Sequence, residues 1–585
     1  MSTQLQSQGA LRTLLPYMRI YRARLALVLC LVITVVLIDL AQPYLVKEAI
    51  DRYLVVPNPN AEAIFWMAAG YLGMSLLSFG LTYYQDILLQ YAGQAIVRSI
   101  RVDLFKHIQK LSLRYFDQHS AGSIITNVVN DTESINNFFT QFLPNTLRGC
   151  LSLILIMFFM LRLDIPIALY CFLLIPIVLI ISLSLRRILS KTYREIRSRL
   201  SATIAFLAEN LTGMAIVQIF NQEAKQQRKF DEKNKALLDA TIFENRINVL
   251  LNNLTELVGD LGVAALVWFG GRAVIHGAVS FGVLYAFVGY VRRFFQPINI
   301  ITQQFNVLQS SIVASERIAR TLQEQPEIRE LPGALAPSVH GRVRFEQVSL
   351  AYRPGHPVLN KIQLAIQAGE RVGFVGASGA GKSSLMNLVT RFYDVTAGVV
   401  VIDGKDVREW PLDALRQTVG IVQQDVTLFS GTIIDNIRFF REEIPAERVK
   451  EACRLIGAEP FILKQPKGYD TMLSERGSTL SSGERQLLSF ARVLVFDPKI
   501  LILDEATASL DSNTEAVLQA AIHRVSQGRT LMVIAHRLST VQEMDAIVVL
   551  DQGKIVETGN HHELLQRQGY YWRLHQSGIL LEEAV

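Results

Sequence analysis

GASGAGKSS, residues 376–384, fits the pattern G-x-x-x-x-G-K-[ST] through Gly376, Gly381, Lys382 and Ser383. Glycines let such a loop curl until its backbone N–H groups point inward at a polyphosphate. Lys382 then reaches the β- and γ-phosphates and Ser383 ligates Mg²⁺. The surroundings agree with that reading: a strand-like run, RVGFV (371–375), precedes the loop, and a helical one, KSSLMNLVTRF (382–392), follows it. An ordinary glycine-rich turn requires neither. Further on, KILILDEATASLD (499–511) carries four apolar residues into Asp504, where a strand end holds Mg²⁺ through water. Glu505 follows, at a position from which a carboxylate orients or deprotonates an attacking water.

Around these motifs, strand-length apolar runs alternate with helical segments from 341 to 585 (RVRFEQVSLAYR, ERVGFVG, ILILDEA, TLMVIAH, AIVVL). That alternation predicts an α/β domain with a largely parallel sheet. QPEIRELPGALAPSVHG, just upstream, has three prolines and two glycines and marks a linker over 326–340.

Residues 1–325 have a different character. Half of the 585 residues are hydrophobic and 19% are charged. Spanning a bilayer takes about 20 mostly apolar residues. Six segments reach that length, near 23–49, 62–90, 136–161, 165–187, 249–272 and 280–304, predicting an all-α transmembrane domain. The loops 91–135 and 188–248 are long, basic and helical in pattern, whereas IHGAVSFG, between the last two segments, has no Lys or Arg. Under the positive-inside rule the basic loops and both termini are cytoplasmic. The formal charge of +6 is therefore read as basic cytoplasmic loops, and no nucleic-acid partner is expected. Cys30, Cys150, Cys171 and Cys453 have no paired spacing, which argues against a disulfide framework or a zinc site. Three of them lie in apolar runs and are expected as small buried hydrophobes.

Charges inside spanning segments are costly and therefore informative. Counted from the turn near His276, Asp260 and Arg292 fall at the same depth, about 24 Å along their helices. An ion pair of Asp260 with Arg292 or Arg293 is expected there, with Pro297 beyond it as a kink and hinge.

Taken together, the loop, the acidic strand end and the six segments resemble an ATP-binding cassette exporter half-transporter, with the family's motifs in the family's order. The resemblance implies that Tyr352, in LAYRPG, stacks on adenine, and that Ser378, Gly379 and Ser384 complete the nucleotide-binding loop. It places Gln424 at the Mg²⁺ and water, beside Ser383 and Asp504, with Gln423 where the family often has proline. His536, in VIAHRLST, matches the residue that contacts the γ-phosphate, and Asp511 closes the D-loop. Glu475 and Arg476 match a segment that meets the intracellular loops.

LSSGE, residues 480–484, stands where the family commonly has L-S-G-G-Q. In such proteins two cassettes dimerise head to tail, and this signature caps ATP held by the partner's phosphate loop. Ser481, Gly483 and the following helix N-terminus are then expected at the partner's γ-phosphate. Ser482 and Glu484 depart from the pattern. Ser482 adds a side chain where backbone approaches phosphate. An intact Glu505 beside an altered signature favours a heterodimer slightly over a homodimer.

The resemblance further implies coupling helices near 114–131 and 204–223 and outward, ATP-driven movement of a small hydrophobic or amphipathic substrate, as in bacterial multidrug or lipid exporters. The expected location is the bacterial inner membrane. A mainly regulatory, ATP-binding subunit of a heterodimer is the alternative, weakened by the presence of Glu505 and His536.

Overall fold

A computed structural model describes residues 16–576 apart from 58, 332, 334, 354, 475, 476, 478, 505–511 and 535–537. The chain forms two compact units. One comprises residues up to Gln109 together with Ser120–Glu324; the other comprises Lys110–His119 together with the chain from Gln325 onward.

The first unit is helical. Among the described residues four helices are long and apolar enough to cross a membrane: Arg22–Leu54, Ala61–Ile108, Ala121–Leu163 and Glu223–Ile275. The segments expected near 165–187 and 280–304 lie on helices Ile165–Phe172, Leu174–Thr212 and Phe281–Gln323. The last continues through Pro297 as one helix. Helix Phe281–Gln323 packs closely on helix Arg22–Ala49. A Cβ on Gly282 would lie 2.5 Å from the Lys47 carbonyl oxygen, so only glycine allows this approach. Tyr290, fully buried, donates to the Leu40 carbonyl at 2.9 Å between the same two helices. Val32, Val36, Phe287 and Val291 fill the interface.

A second cluster, Ile96, Ile100, Leu104, Ile135, Phe139 and Ile318, joins the extensions of these helices. Arg317 pairs there with the buried Asp131 at 2.7 Å.

The expectation of buried cysteines fails at Cys30 and Cys150, which are exposed. An apolar run in a membrane helix finds its apolar surroundings partly in lipid, so hydrophobicity there does not imply contact with protein.

The second unit holds two main sheets. β1 (Val343–Arg353), β2 (His356–Ile366), β4 (Ala397–Ile402) and β5 (Lys405–Asp406) form an antiparallel sheet in the order β2-β1-β4-β5. The larger sheet contains β3 (Arg371–Val375), β6 (Val419–Val422), β9 (Ile500–Asp504), β10 (Thr530–Ile534), β11 (Ala546–Asp551) and β12 (Lys554–Gly559). Its order is β12-β11-β3-β10-β9-β6, and every pairing except β11–β12 is parallel. A two-residue pairing joins β7 (Gly431–Thr432) to β8 (Met472–Leu473).

The parallel sheet matches the reading of the apolar runs; the antiparallel one does not follow from them. RVRFEQVSLAYR is a strand as expected, yet it pairs with the hairpin neighbour β2 and with β4. β10 is buried along its whole length, as a strand covered on both faces must be.

Helix Lys382–Val389 lies between the sheets. Its Leu385, Met386, Leu388 and Val389 share one core with Phe345 and Val400 of the antiparallel sheet and Phe374, Ile502 and Met532 of the parallel one. Each such side chain stabilises the fold by about 1.5–3 kcal/mol through burial. The sequence-derived linker runs along this unit: Arg391 donates to the Arg329 carbonyl, and Glu330 accepts from the Leu412 N–H.

Candidate nucleotide site

The phosphate loop leaves the carboxyl end of β3, which is flanked by β11 and β10. In register, Phe374 pairs with Ile534, and Ile534 with Asp504. Three strands therefore end in one row, and the loop and the acidic strand end share one edge of the sheet. Open α/β sheets bind ligands at that edge.

Glycine is required at two positions of the loop. Gly376 has φ +153°, and a Cβ there would lie 2.1 Å from the Leu550 carbonyl oxygen. Gly381, at φ +103°, would meet a Leu359 methyl at 2.7 Å. These glycines let the backbone form a tight cradle. Lys382 is buried, and its Nζ donates to the carbonyls of Gly376 at 2.6 Å and Ala377 at 3.2 Å, which places the ammonium inside the curl. Ser383 is exposed at the helix start, whereas Ser384 is buried. Gly379 is a turn residue with open space around its Cα. This cradle of backbone amides and an inward cation suits a polyphosphate.

The amino-terminal end of β3, opposite the loop, is pinned by an ion pair. Arg371, which opens β3, meets Asp545 with two side-chain hydrogen bonds of 3.1 and 2.7 Å, and its own N–H donates to the same carboxylate at 2.9 Å. These bonds hold the Asp545 carboxyl below the usual range.

Tyr352, expected at adenine, donates to the Ser384 hydroxyl at 3.0 Å and meets the Tyr393 ring edge-on at 4.8 Å. Tyr393 in turn donates to the Asp117 carboxylate, on the short helix Leu113–Gln118. Burial, then this hydrogen bond, pushes the Tyr393 phenol up. Arg114 lies over the Tyr393 ring and pairs with Glu327 at 2.8 Å. Part of the first expected coupling segment thus packs one aromatic ring away from the expected adenine platform. Tyr393 escaped the sequence reading because it belongs to no motif, and Asp117, inside the expected coupling segment, had no local signal naming its partner.

LSSGE opens helix Ser482–Phe496. Ser481 is its N-cap and Glu484 its third residue, and together they form a capping box. Ser481 and Ser482 are exposed and Gly483 is buried. Leu487, Leu488, Phe490 and Ala491 anchor the helix against Ile433, Ile437 and Val449. Gln424 is exposed just beyond β6, and Asp504 ends β9. Glu475, Arg476, Glu505, Asp511 and His536 lie outside the described residues.

The expected pairing of Asp260 with Arg292 or Arg293 is corrected by the structure. Asp260 and Arg292 are both exposed and form no ion pair among the described residues. Arg293 instead donates to the Asp39 backbone carbonyl and, at 3.1 Å, to Gln42 Oε1. Equal depth does not fix rotation about each helix, and at 3.6 residues per turn adjacent residues point about 100° apart. The relevant carboxylate is Asp39, paired with Arg148 at 3.4 Å. Both were visible as charges within apolar runs.

A parallel-sheet P-loop domain joined to a bundle of long apolar helices defines a membrane-embedded ATPase. Residues 25–298 match the ABC transporter transmembrane region and residues 359–508 the ABC transporter ATPase family. A probable multidrug resistance ABC transporter ATP-binding/permease protein of Bacillus subtilis is 41% identical, over 89% of this chain and 77% of that protein. An ATP-dependent lipid A-core flippase of Syntrophus aciditrophicus is 36% identical, over 91% of this chain and 88% of that one. The solved structure of a bacterial Atm1-family ABC exporter with ATP bound superposes with a TM-score of 0.78 at 27% identity, covering 97% of this chain and all of that one. The chain belongs to the ABC exporters: it is an ATP-binding, ATP-driven half-transporter that works as a dimer.

Proposed function

We propose that this half-transporter moves a small hydrophobic or amphipathic substrate outward across the bacterial inner membrane, with its ATPase unit and both termini in the cytoplasm. The preorganised helix start, with Ser481 and Ser482 exposed, carries this reading, because it gives the chain an anion-binding turn besides its phosphate loop. In a head-to-tail dimer that turn faces ATP held by the partner. The names of the relatives, multidrug and lipid exporters, support the substrate class. The basic segment 188–248 supports the orientation.

Each residue then has a task. The phosphate loop, with Ser378, Gly379 and Ser384, positions the triphosphate, Lys382 neutralises it, and Tyr352 stacks on the base. Ser383, Asp504 and Gln424 are the groups suited to hold Mg²⁺, which would neutralise charge on the phosphates. The exposed Ser383 hydroxyl and the strand-end Asp504 fit that demand. Glu505 takes a proton from the attacking water, His536 contacts the γ-phosphate, and Asp511 closes the loop between the two sites. Ile216, Ile219 and Phe220 of the second coupling segment form an exposed apolar face.

The added Ser482 side chain favours a heterodimer, in which the partner supplies an unaltered signature. It also supports a second reading, a mainly regulatory subunit. ATP hydrolysis by this chain alone in lipid nanodiscs, with Glu505→Gln as control, decides between these. Activity lost in the control means that two LSSGE signatures suffice and the homodimer is competent. A folded, ATP-binding but silent preparation means that a partner completes the site. Recovery of hydrolysis on mixing with that partner, abolished by Glu505→Gln in this chain, excludes the regulatory reading.

A further inference from the structure

A cavity of about 540 Å³ lies between helices Arg22–Ala49, Leu143–Leu163 and Phe281–Gln323. Its polar lining is Asp39, Asn145, Arg148, Ser152, Arg293 and Gln296. The charges do not balance. Asp39 accepts from Ser78 at 2.7 Å and pairs with Arg148 at 3.4 Å. Arg293 donates to the Asp39 carbonyl and the Gln42 amide oxygen, two bonds from a group with five N–H donors, and no carboxylate among the described residues pairs with it. Two guanidiniums and one carboxylate leave one uncompensated positive charge.

A cation without a counter-ion in a membrane-embedded cavity is expensive and marks a functional site. The three charged residues lie about 18–22 Å of helix from the ends that face the short loops. With about 30 Å of hydrocarbon to cross, that places the cavity in the half nearer the basic loops. Aliphatic groups of Val36, Leu40 and Ile156 continue the wall beside the charges. A charged head and an apolar tail are therefore accommodated side by side.

We propose that this cavity binds an amphipath with a singly charged oxyanion head, a carboxylate, sulfonate or phosphodiester. Arg293 and Arg148 are its ligands, and Asp39 is the internal counter-charge that the incoming anion competes with for Arg148. The inference rests on the export reading and narrows its substrate to anionic rather than cationic amphipaths. Guanidinium binds such heads through charge-assisted hydrogen bonds.

The test uses the full chain in phosphatidylcholine nanodiscs and a dansyl-labelled undecanoate, compared with the same labelled tail ending in trimethylammonium. Fluorescence reports binding without ATP. The anionic probe is expected to bind at least about tenfold more tightly than the cationic one, and Arg293→Gln to weaken it about tenfold. Asp39→Asn, which removes the competing carboxylate, is expected to tighten it several-fold, a gain that a merely structural role does not give. Equal binding of the two probes, or an Arg293→Gln protein that folds and binds normally, overturns the proposal. If Arg293→Gln does not fold, Asp39→Asn decides: no tightening overturns it.

Adding phosphatidylglycerol to the nanodiscs identifies the source of the head. Competition with the probe supports the site and points to a lipid, and its absence, with selectivity retained, supports the site and points to a free amphipath. Anion-selective binding that fails to stimulate ATP hydrolysis in the competent dimer supports the site but overturns export as its role.

Discussion

The Glu484 carboxylate accepts the Ser481 backbone N–H at 2.8 Å, while the Ser481 hydroxyl accepts the Glu484 N–H at 3.2 Å. The residue that departs from the common glutamine thus stabilises the helix start and leaves the Ser481 hydroxyl proton free to donate. It also places a negative charge where the partner's phosphate is expected.

Glu484→Gln keeps an acceptor for the Ser481 N–H and removes that charge. Anions at a helix N-terminus gain about 0.3–1 kcal/mol, so removing the competitor should lower the KM for ATP about two- to fivefold in the competent dimer. Steady-state hydrolysis measures this; an unchanged or raised KM contradicts competition between Glu484 and the phosphate.

Gly376→Ala and Gly379→Ala should separate steeply. At Gly376 the new Cβ meets the Leu550 carbonyl at 2.1 Å, whereas at Gly379 it meets nothing within 4 Å. Strain and displaced backbone should cost the first variant about 2–4 kcal/mol and its ATP binding. The second carries only the left-handed backbone penalty, about 1–2 kcal/mol. Thermal unfolding with and without nucleotide checks both, and similar melting temperatures would disprove the cradle argument.

Tyr393→Phe keeps the ring beside Tyr352 and loses the bond to Asp117. If that bond couples the short helix Leu113–Gln118 to the nucleotide site, ATP affinity should stay within about twofold while transport per ATP hydrolysed falls. Vesicle uptake measured alongside hydrolysis gives the ratio. A ratio equal to that of the unmodified chain shows that the contact is packing only.

The Arg371–Asp545 pair sets an acid limit. Because Asp545 has a lower pKa folded than unfolded, its contribution to stability is complete above its unfolded value, about 4. It is lost as pH falls through the lower folded value. Asp545 is partly exposed and the pair is screened by solvent, so Asp545→Asn should destabilise the ATPase unit by only about 0.5–1 kcal/mol near pH 7 and make that unit less sensitive to acid below about pH 4. Melting curves from pH 3 to 7 compare the two chains; parallel curves mean that Asp545 is not a source of the acid sensitivity.

The class of protein and the candidate residues of its nucleotide site were legible in local patterns of the sequence. GASGAGKSS, DEA and LSSGE are local patterns, each set by the backbone turn or strand end on which its residues sit, so their chemistry is written within a few positions. The capping role of Glu484 is equally local: a serine followed three residues later by glutamate, at a helix start. The antiparallel sheet was less legible, because hydrophobic alternation marks a strand without naming its neighbours.

Which distant groups meet follows from the packing of the helices and sheets. Asp39 and Arg148 are 109 positions apart, and Asp117 and Tyr393 are 276 apart. Depth along a helix, which the sequence supplies, suggested Asp260 and Arg292; rotation about the helix axis, fixed by packing on neighbouring helices, brought Arg293 to Asp39 instead. Tight interfaces such as Gly282 on Lys47 set that rotation, because close packing admits few orientations and a period of 3.6 residues turns each one into a different set of facing side chains.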